Sequence, residues 1–284
     1  MHTTFNRLIA WIITVIVFGL FIQHETLSQS ILESRFNTFS ASLNKLIRTN
    51  PAAISTYNPV YQILDSTDQN SLIIDSYIQS GYLGFDNINP GNIGAIYSID
   101  ELAFGLSVNG LSNELVSRFS GSLATAYQIT EDASLGASYT FSTFKPKGFE
   151  GYNSSSLNLS YSQDFGKEST VFFTLNDVFD TSNPERDTVT QFSSTRRLVA
   201  GYQFQSNWLL ASLDFHASES NAGVIPTFGV LPIESIYLFL SGESSTRSII
   251  VGTRVTYLGV IFGIRTILSD YTGNQTGISL GYRF

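Results

Sequence analysis

Three side chains that recur in hydrolase active sites, Ser212, Asp214 and His216, stand at alternate positions of one short segment. Alternate residues of a β-strand share a face, so these three would point the same way. A Ser-His-Asp triad also requires each group to hydrogen-bond to the next, and neighbours two residues apart do not by themselves provide that geometry. A serine-rich strand face makes this coincidence common. We therefore predict that the chain is not an enzyme.

Metal and cofactor chemistry find little support in the sequence. The chain has three histidines and no cysteine, and His2 and His24 lie close to its start. Zinc sites are built mainly from histidine and cysteine ligands, so a metal site is not expected. The glycines stand singly, unlike those of a phosphate-binding loop, and we predict no cofactor. A net charge of -8 argues against nucleic acid as a partner.

Most of the chain after Ser71 alternates between apolar and polar residues. Between Ala133 and Thr143, for example, Leu, Ala, Tyr and Phe alternate with Ser, Gly, Ser and Thr. This period of two predicts strands with one apolar face. We count about 14 such segments, an even number that suits an outer-membrane barrel. Their connections are alternately short and long. Pro226 interrupts the stretch 223–240 and makes its boundaries ambiguous, and we place one short turn at Pro232.

The composition favours a membrane barrel over a soluble sandwich of the same strands. Charged residues make up 13% of the chain, about half the usual share of a soluble domain. After the N-terminal region, no segment approaches the roughly 18 consecutive apolar residues of a helical span. We therefore predict an all-β fold, a transmembrane antiparallel β-barrel. Its lipid-facing residues would alternate with polar lumen-facing ones, so that a charge at Leu159 is costly and one at Asn158 is mild.

Charged residues on the polar faces of these strands are candidate lumen-facing groups. They are Arg118, Asp214, Arg254, Arg265 and Arg283. Charges inside a barrel need water, an opposite charge or a plug. Two interpretations stay open: a structural charge ladder that fills the lumen and holds a plug, or a site for an anionic head group such as a fatty-acid carboxylate.

The chain begins with the pattern of a secretory signal peptide. Arg7 precedes the apolar run Leu8–Ile22, and small polar residues follow at Ser28–Ser30. The run is short for a transmembrane helix, although an uncleaved anchor is the alternative. We assign residues 1–30 to the signal peptide. After its cleavage we expect the protein in the outer membrane of a Gram-negative bacterium. The absence of cysteine excludes a lipoprotein anchor.

Residues 31–61, the hatch segment, do not alternate like the strands. Phe36, Phe39, Leu43, Leu46 and Ile47 recur at helical spacing, and Asn50-Pro51-Ala52 then breaks the predicted helix. We expect this segment to plug the lumen of a barrel formed by residues 62–284. The alternative is a helix resting on the membrane surface or on the barrel rim.

The last strand carries an apolar face to the chain end. Ile278, Leu280, Tyr282 and Phe284 alternate with Ser279, Gly281 and Arg283. This pattern resembles the closing strand of bacterial outer-membrane barrels, which the barrel-assembly machinery reads. The resemblance implies that Leu280, Tyr282 and Phe284 form the assembly signal.

Two sets of motifs resemble the FadL-like outer-membrane transporter superfamily. One is Asn50-Pro51-Ala52 ahead of the first strand, which is similar to the family's hatch motif. The other is the closing stretch, with Pro232-Ile233-Glu234, Gly252-Thr253-Arg254, Gly263-Ile264-Arg265, Asp270-Tyr271-Thr272 and residues 278–284. The chain looks most like the PorV/PorQ branch, whose members serve type IX secretion.

The resemblance implies a non-enzymatic barrel that acts in envelope transport or in a protein-secretion or surface-attachment system. A passive conduit for hydrophobic small molecules such as fatty acids, and a purely structural envelope barrel, are the alternatives. The partners it implies are outer-membrane lipid, the barrel-assembly machinery, and either secretion-system subunits or a hydrophobic ligand.

Overall fold

The computed structural model describes residues 43–55, 71–80, 91–112, 116–166, 168–180, 197–206, 208–218, 222–233, 235–244, 247–269 and 274–284. Within these residues, one short α-helix and one 3₁₀-helix precede 14 strands. In chain order the elements are α1 (Leu43–Thr49), η1 (Pro51–Ile54), β1 (Ser71–Ser80), β2 (Gly91–Ile99), β3 (Leu102–Ser112), β4 (Val116–Thr130), β5 (Ala133–Pro146), β6 (Tyr152–Phe165), β7 (Ser169–Asp180), β8 (Arg197–Gln205), β9 (Leu209–Ser218), β10 (Ala222–Ile233), β11 (Ile236–Glu243), β12 (Ser248–Tyr257), β13 (Val260–Ser269) and β14 (Gln275–Arg283). No helix in these described ranges is long and apolar enough to cross a membrane.

The strands form one closed antiparallel barrel. Each pairs with its sequence neighbours, and β1 pairs with β14 to close the ring. Ile74 lies opposite Tyr282 across this seam, and the Phe284 N–H donates to the Leu72 carbonyl oxygen at 2.9 Å. The period of two therefore predicted the fold correctly, and the predicted barrel of 14 strands beginning at Ser71 is confirmed.

The alternation of residue types becomes an alternation of burial. On β4, Phe119 and Leu123 are 49% and 62% exposed on the outer face, whereas Ser120 and Ser122 are each 2% exposed on the inner face. Tight closure of the ring brings inner side chains against one another, so even serine and threonine are buried there. The outer face is apolar and uncovered.

The two prolines of β10 behave differently from the sequence interpretation. Pro226 lies within a continuous strand and is paired with Leu213 of β9. Pro232 also belongs to β10, and the chain reverses two residues later, so the predicted turn at Pro232 is wrong. A register shift between Val230 and Ile233 accommodates this end of the strand. Proline is tolerated at such irregular positions because a bulge already lacks one ladder hydrogen bond.

The described part of the hatch segment lies inside the barrel. Leu43, Leu46 and Ile47 are almost completely buried, and they join a core with inner-face residues such as Ile73 and Ile96. Helix α1 packs against β2–β5, and η1 packs against β3–β6. Phe36, Phe39 and the proposed signal peptide fall outside the described residues.

A larger irregularity lies on the barrel side that faces the hatch segment. Leu157 pairs with Phe179 and Leu159 with Leu175, so three residues of β7 bulge opposite Asn158 of β6. Within the bulge Asp177 has a φ of 57°. This left-handed conformation is unfavourable for most residues, and aspartate tolerates it better than bulky ones.

Candidate functional site

Polar inner-face side chains of β5 and β6 hold the backbone of the hatch segment. The Ala52 N–H donates to Ser160 Oγ at 2.6 Å. The Arg48 carbonyl oxygen accepts from Ser138 Oγ at 2.8 Å and from Asn158 Nδ2 at 2.6 Å. The hydroxyls of Ser55 and Ser134 lie 2.9 Å apart. The bonds to Ala52 and Arg48 satisfy backbone groups at the ends of α1 and η1 that a short helix leaves unpaired.

Glycines let the hatch segment approach the wall closely. A Cβ added at Gly136 of β5 would overlap the backbone of Pro51 and Ala52. At Gly105 of β3 it would come within 2.9 Å of Ile47 Cγ1. The fit is therefore set by the absence of side chains at these wall positions as much as by the hydrogen bonds.

Pro51 and Ala52 are buried against this seat, and so is Asn50, the first residue of the hatch motif. Asn50 has φ -143° and ψ 68°, outside the helical region, because a following proline disfavours helical geometry. Its backbone closes the turn, with the Ala53 N–H donating to the Asn50 carbonyl oxygen at 3.1 Å. Within the described residues its carboxamide makes no hydrogen bond.

Asn158 has a role that the sequence interpretation missed. Besides its bond to the Arg48 carbonyl oxygen, its Oδ1 accepts from the Asp177 N–H in the β7 bulge at 2.7 Å. One side chain thus joins the hatch segment to the irregular part of the wall. No pattern in the sequence distinguishes Asn158 from the serines beside it. Because its side chain holds two segments together, a mild effect of substitution there is no longer expected.

Arg254 and Arg265 come together on the opposite side of the lumen. They lie on β12 and β13 and line an open concavity, which we call the arginine pocket. Its other polar side chains are Asp75, Tyr77 and Ser279, and Phe239 adds an aromatic ring. Arg265 Nε donates to the Tyr77 hydroxyl at 2.8 Å, and its guanidinium lies 4.1 Å from the centre of that ring.

The carboxylate that faces these arginines is Asp75 of β1, which the sequence interpretation did not single out. Asp75 is 8% exposed, and Arg254 and Arg265 both act on it electrostatically. The Leu43 N–H, at the start of α1, hydrogen-bonds to the same carboxylate. A signal was present in the sequence, because Asp75 occupies an inner-face position between Ile73 and Tyr77 of a regularly alternating strand.

The other candidate charges lie elsewhere. Arg118 is near the start of β4, at the end of the barrel that carries the long loops, and Arg283 is the last residue of β14. Asp214 is on β9, three strands from Arg254, about 14 Å along the sheet at the usual strand spacing. The predicted set of lumen-facing residues therefore splits into the Arg254–Arg265 pair and three separate positions.

Ser212, Asp214 and His216 share the inner face of β9, but two of their side chains diverge. Asp214 Oδ1 lies over Gly201 of β8, whereas the His216 ring lies over Gly223 of β10. A base and the carboxylate that orients it must meet, and here they lean toward opposite neighbours. The described residues also contain no cluster of three His, Cys, Asp or Glu side chains suited to a metal ion.

The residues assigned to the assembly signal form an exposed outer stripe. Leu280, Tyr282 and Phe284 are 57%, 40% and 68% exposed. The rings of Tyr282 and Phe284 pack edge to face, with their centres 4.6 Å apart. The stripe adjoins the β1–β14 seam.

Solved structures show the same fold. The Ralstonia pickettii toluene transporter TbuX aligns with a TM-score of 0.52 at 10% identity, over 87% of this chain and 97% of that one. The Pseudomonas putida toluene transporter TodX aligns with a TM-score of 0.53 at 9% identity, over 90% of this chain and 98% of that one. At this level of identity the likeness shows the barrel fold. No protein-family model and no curated protein sequence matches the chain.

Proposed function

We propose that this protein is a non-enzymatic outer-membrane barrel that passes small molecules through a lumen closed by the hatch segment. The observation that carries the proposal is the pairing of an apolar outer wall with a small docked segment inside. TbuX and TodX, which share the fold, are toluene transporters, and this supports a role in transport.

The outer wall suits contact with lipid. At the regularly paired outer positions of the described strands, Lys145 is the single charged residue, and it lies at the loop end of β5. Aromatic residues gather near the short-turn end. They include Tyr97, Tyr127, Phe165, Trp208, Tyr257 and Phe284. An apolar band bordered by an aromatic girdle is the usual surface of a membrane barrel.

The band also has the right height. Leu135 and Lys145 are ten positions apart on the outer face of β5. At about 3.4 Å per residue and a strand tilt of about 40°, they are separated by roughly 26 Å along the membrane normal. The apolar band of an outer-membrane barrel is about 25 Å tall, so the first outer charge falls at its boundary.

The hatch segment is suited to act as a gate because it is held by a limited set of contacts. Four of its hydrogen bonds to the wall come from short polar side chains on β5 and β6. Its apolar residues supply the remaining stability. A segment held in this way can undock without breaking the strand ladders that form the wall.

Deletion of residues 31–61 tests this function. Wild-type protein and the deletion variant are reconstituted in planar bilayers, and both are first checked for heat-modifiable migration in gels. We expect the variant to insert and to conduct ions more than wild type. Equal conductance of the two inserted barrels would contradict a gated conduit.

The second candidate is a component of a protein-secretion or surface-attachment system, as in the PorV/PorQ branch. It is favoured by the filled half of the lumen, where Thr227, Ser241 and Glu243 are at most 1% exposed among the described residues. A lumen this densely filled leaves little room for a solute to pass. Loss of the gene would then leave secreted proteins in the periplasm, whereas a conduit would instead lose small-molecule uptake.

A further inference from the structure

The arginine pocket is built by alternating large and absent side chains on the inner wall. Arg265 lies directly between Gly252 of β12 and Gly277 of β14 in the paired register. The Phe239 ring lies over Gly252, and the Tyr77 ring lies over Gly277. The two rings therefore flank the Arg265 guanidinium, and glycines provide the space in which they lie flat against the wall.

The cationic side of the pocket is held in place. Arg265 Nε donates to the Tyr77 hydroxyl, which donates in turn to Gln79 Oε1 at 2.9 Å. Gln79 also hydrogen-bonds to Gln275 of β14. Because this chain of bonds fixes the guanidinium, less conformational entropy is lost when an anion binds it. Arginine also recognises planar carboxylates with two parallel N–H donors.

One carboxylate oxygen on the anionic side of the pocket lacks a donor. Asp75 Oδ1 is buried and accepts no hydrogen bond from the described residues. It lies over Gly281 of β14, where an added Cβ would be 3.3 Å away. A buried carboxylate oxygen without a donor is costly, so a ligand that brings an O–H or N–H to this position is favoured.

We infer that the arginine pocket binds a small aromatic carboxylate that also carries a hydroxyl or amino group. The ligand carboxylate meets Arg254 and Arg265, its ring packs beside the Phe239 ring that lines the pocket, and its donor reaches Asp75 Oδ1. This inference rests on the proposed passage of small molecules, for which it names a chemical class.

Binding by the full-length protein in detergent tests the inference, with calorimetry of three probes. 3-Hydroxybenzoate has both groups, benzoate lacks the donor, and phenol lacks the carboxylate. We expect 3-hydroxybenzoate to bind roughly tenfold or more tightly than either of the others, because a hydrogen bond to a charged group is lost in each case. Equal affinity for the three probes would overturn the inference.

Variants separate the two contacts. Arg265→Gln should remove the advantage of 3-hydroxybenzoate over phenol, and Asp75→Ala should remove its advantage over benzoate. Arg247→Gln, in an exposed turn, removes the same charge outside the pocket and should leave all three affinities unchanged. Pocket variants that keep both preferences, or an Arg247→Gln change as large as that of Arg265→Gln, would overturn the assignment. Heat-modifiable migration verifies that each variant is folded.

The outcome is independent of the gating experiment. A barrel that conducts after hatch deletion but discriminates among none of the probes keeps the conduit and loses the ligand class. A barrel that discriminates among the probes but never conducts keeps the binding pocket and loses the conduit.

Discussion

Gly136→Ala is the smallest change that should release the hatch segment from the wall. The added methyl would overlap the Pro51 and Ala52 backbone, with Ala52 Cα only 2.7 Å away. The backbone of η1 would have to move by about 1 Å to restore ordinary van der Waals contact. The wall itself has little reason to change, because alanine is compatible with strand geometry and Gly136 keeps its ladder partners, Ala126 and Ser160.

The size of the effect follows from two contributions. Overpacking by one methyl group typically costs about 1–3 kcal/mol. Displacement of η1 also breaks the bond between the Ala52 N–H and Ser160 Oγ, worth about 0.5–1.5 kcal/mol. The sum, roughly 2–4 kcal/mol, raises the undocked population of the hatch segment by about 30-fold to 1,000-fold.

Limited proteolysis of the folded barrel measures this population, since cleavage within the hatch segment requires undocking. Gly121→Ala is the matched control, because it makes the same replacement on β4, where the nearest atom to the added Cβ is 4.0 Å away. We expect faster cleavage in Gly136→Ala and the wild-type rate in the control. Equal cleavage rates in the two variants would refute the argument that the seat requires a bare backbone at residue 136.

Four further predictions concern the wall, the hatch segment and export. Leu159→Arg, on the outer face, should lose roughly 2–4 kcal/mol in equilibrium unfolding from lipid vesicles, whereas Phe149→Arg, at an exposed hairpin tip, should lose almost nothing; equal losses would mean that the faces are wrongly assigned. Asn158→Ala should weaken docking of the hatch segment by roughly 1–3 kcal/mol, and wild-type protection from proteolysis would contradict its linking role. Phe284→Ala, or deletion of Tyr282–Phe284, should lower the yield of inserted barrel more than the stability of barrels that do insert, and normal insertion would count against the assembly signal. The protein should migrate in a heat-modifiable manner and fractionate with the outer membrane, and recovery in the soluble periplasm would rule out the proposed location.

The fold was largely predictable because a barrel repeats one rule. Each strand has one apolar and one polar face, so every segment after Ser71 reports the same architecture independently. The errors arose where local chemistry departs from that rule. Pro232 is a turn signal in isolation, yet the bulged end of β10 accommodates it.

The candidate site was less predictable because its contacts join segments that are far apart in sequence. The alternation of side chains along each strand placed Arg254 and Arg265 on the polar face. It does not indicate which residue of a distant strand faces them, and that residue is Asp75 of β1. Asn158 looks like one more polar lumen residue until the Arg48 carbonyl oxygen is placed beside it. The bulge at Asp177 likewise has no turn signature, since it depends on the partner strand.

The position of the hatch segment also constrains the order in which the molecule is built. Strands β2–β6, on which it mainly rests, follow it consecutively in the chain and pair only with their neighbours. This seat can therefore exist as an open sheet before β1 meets β14, the pairing with the largest separation in sequence and hence the slowest to form. A variant with Ser55→Cys and Ser134→Cys, refolded from urea, tests this order through the time at which its disulfide forms. A disulfide that forms only after the heat-modifiable species appears would contradict it. Once the ring is closed, the hatch segment has no wide entrance to the lumen. The rate at which β1 pairs with β14 therefore sets the time available for the hatch segment to dock.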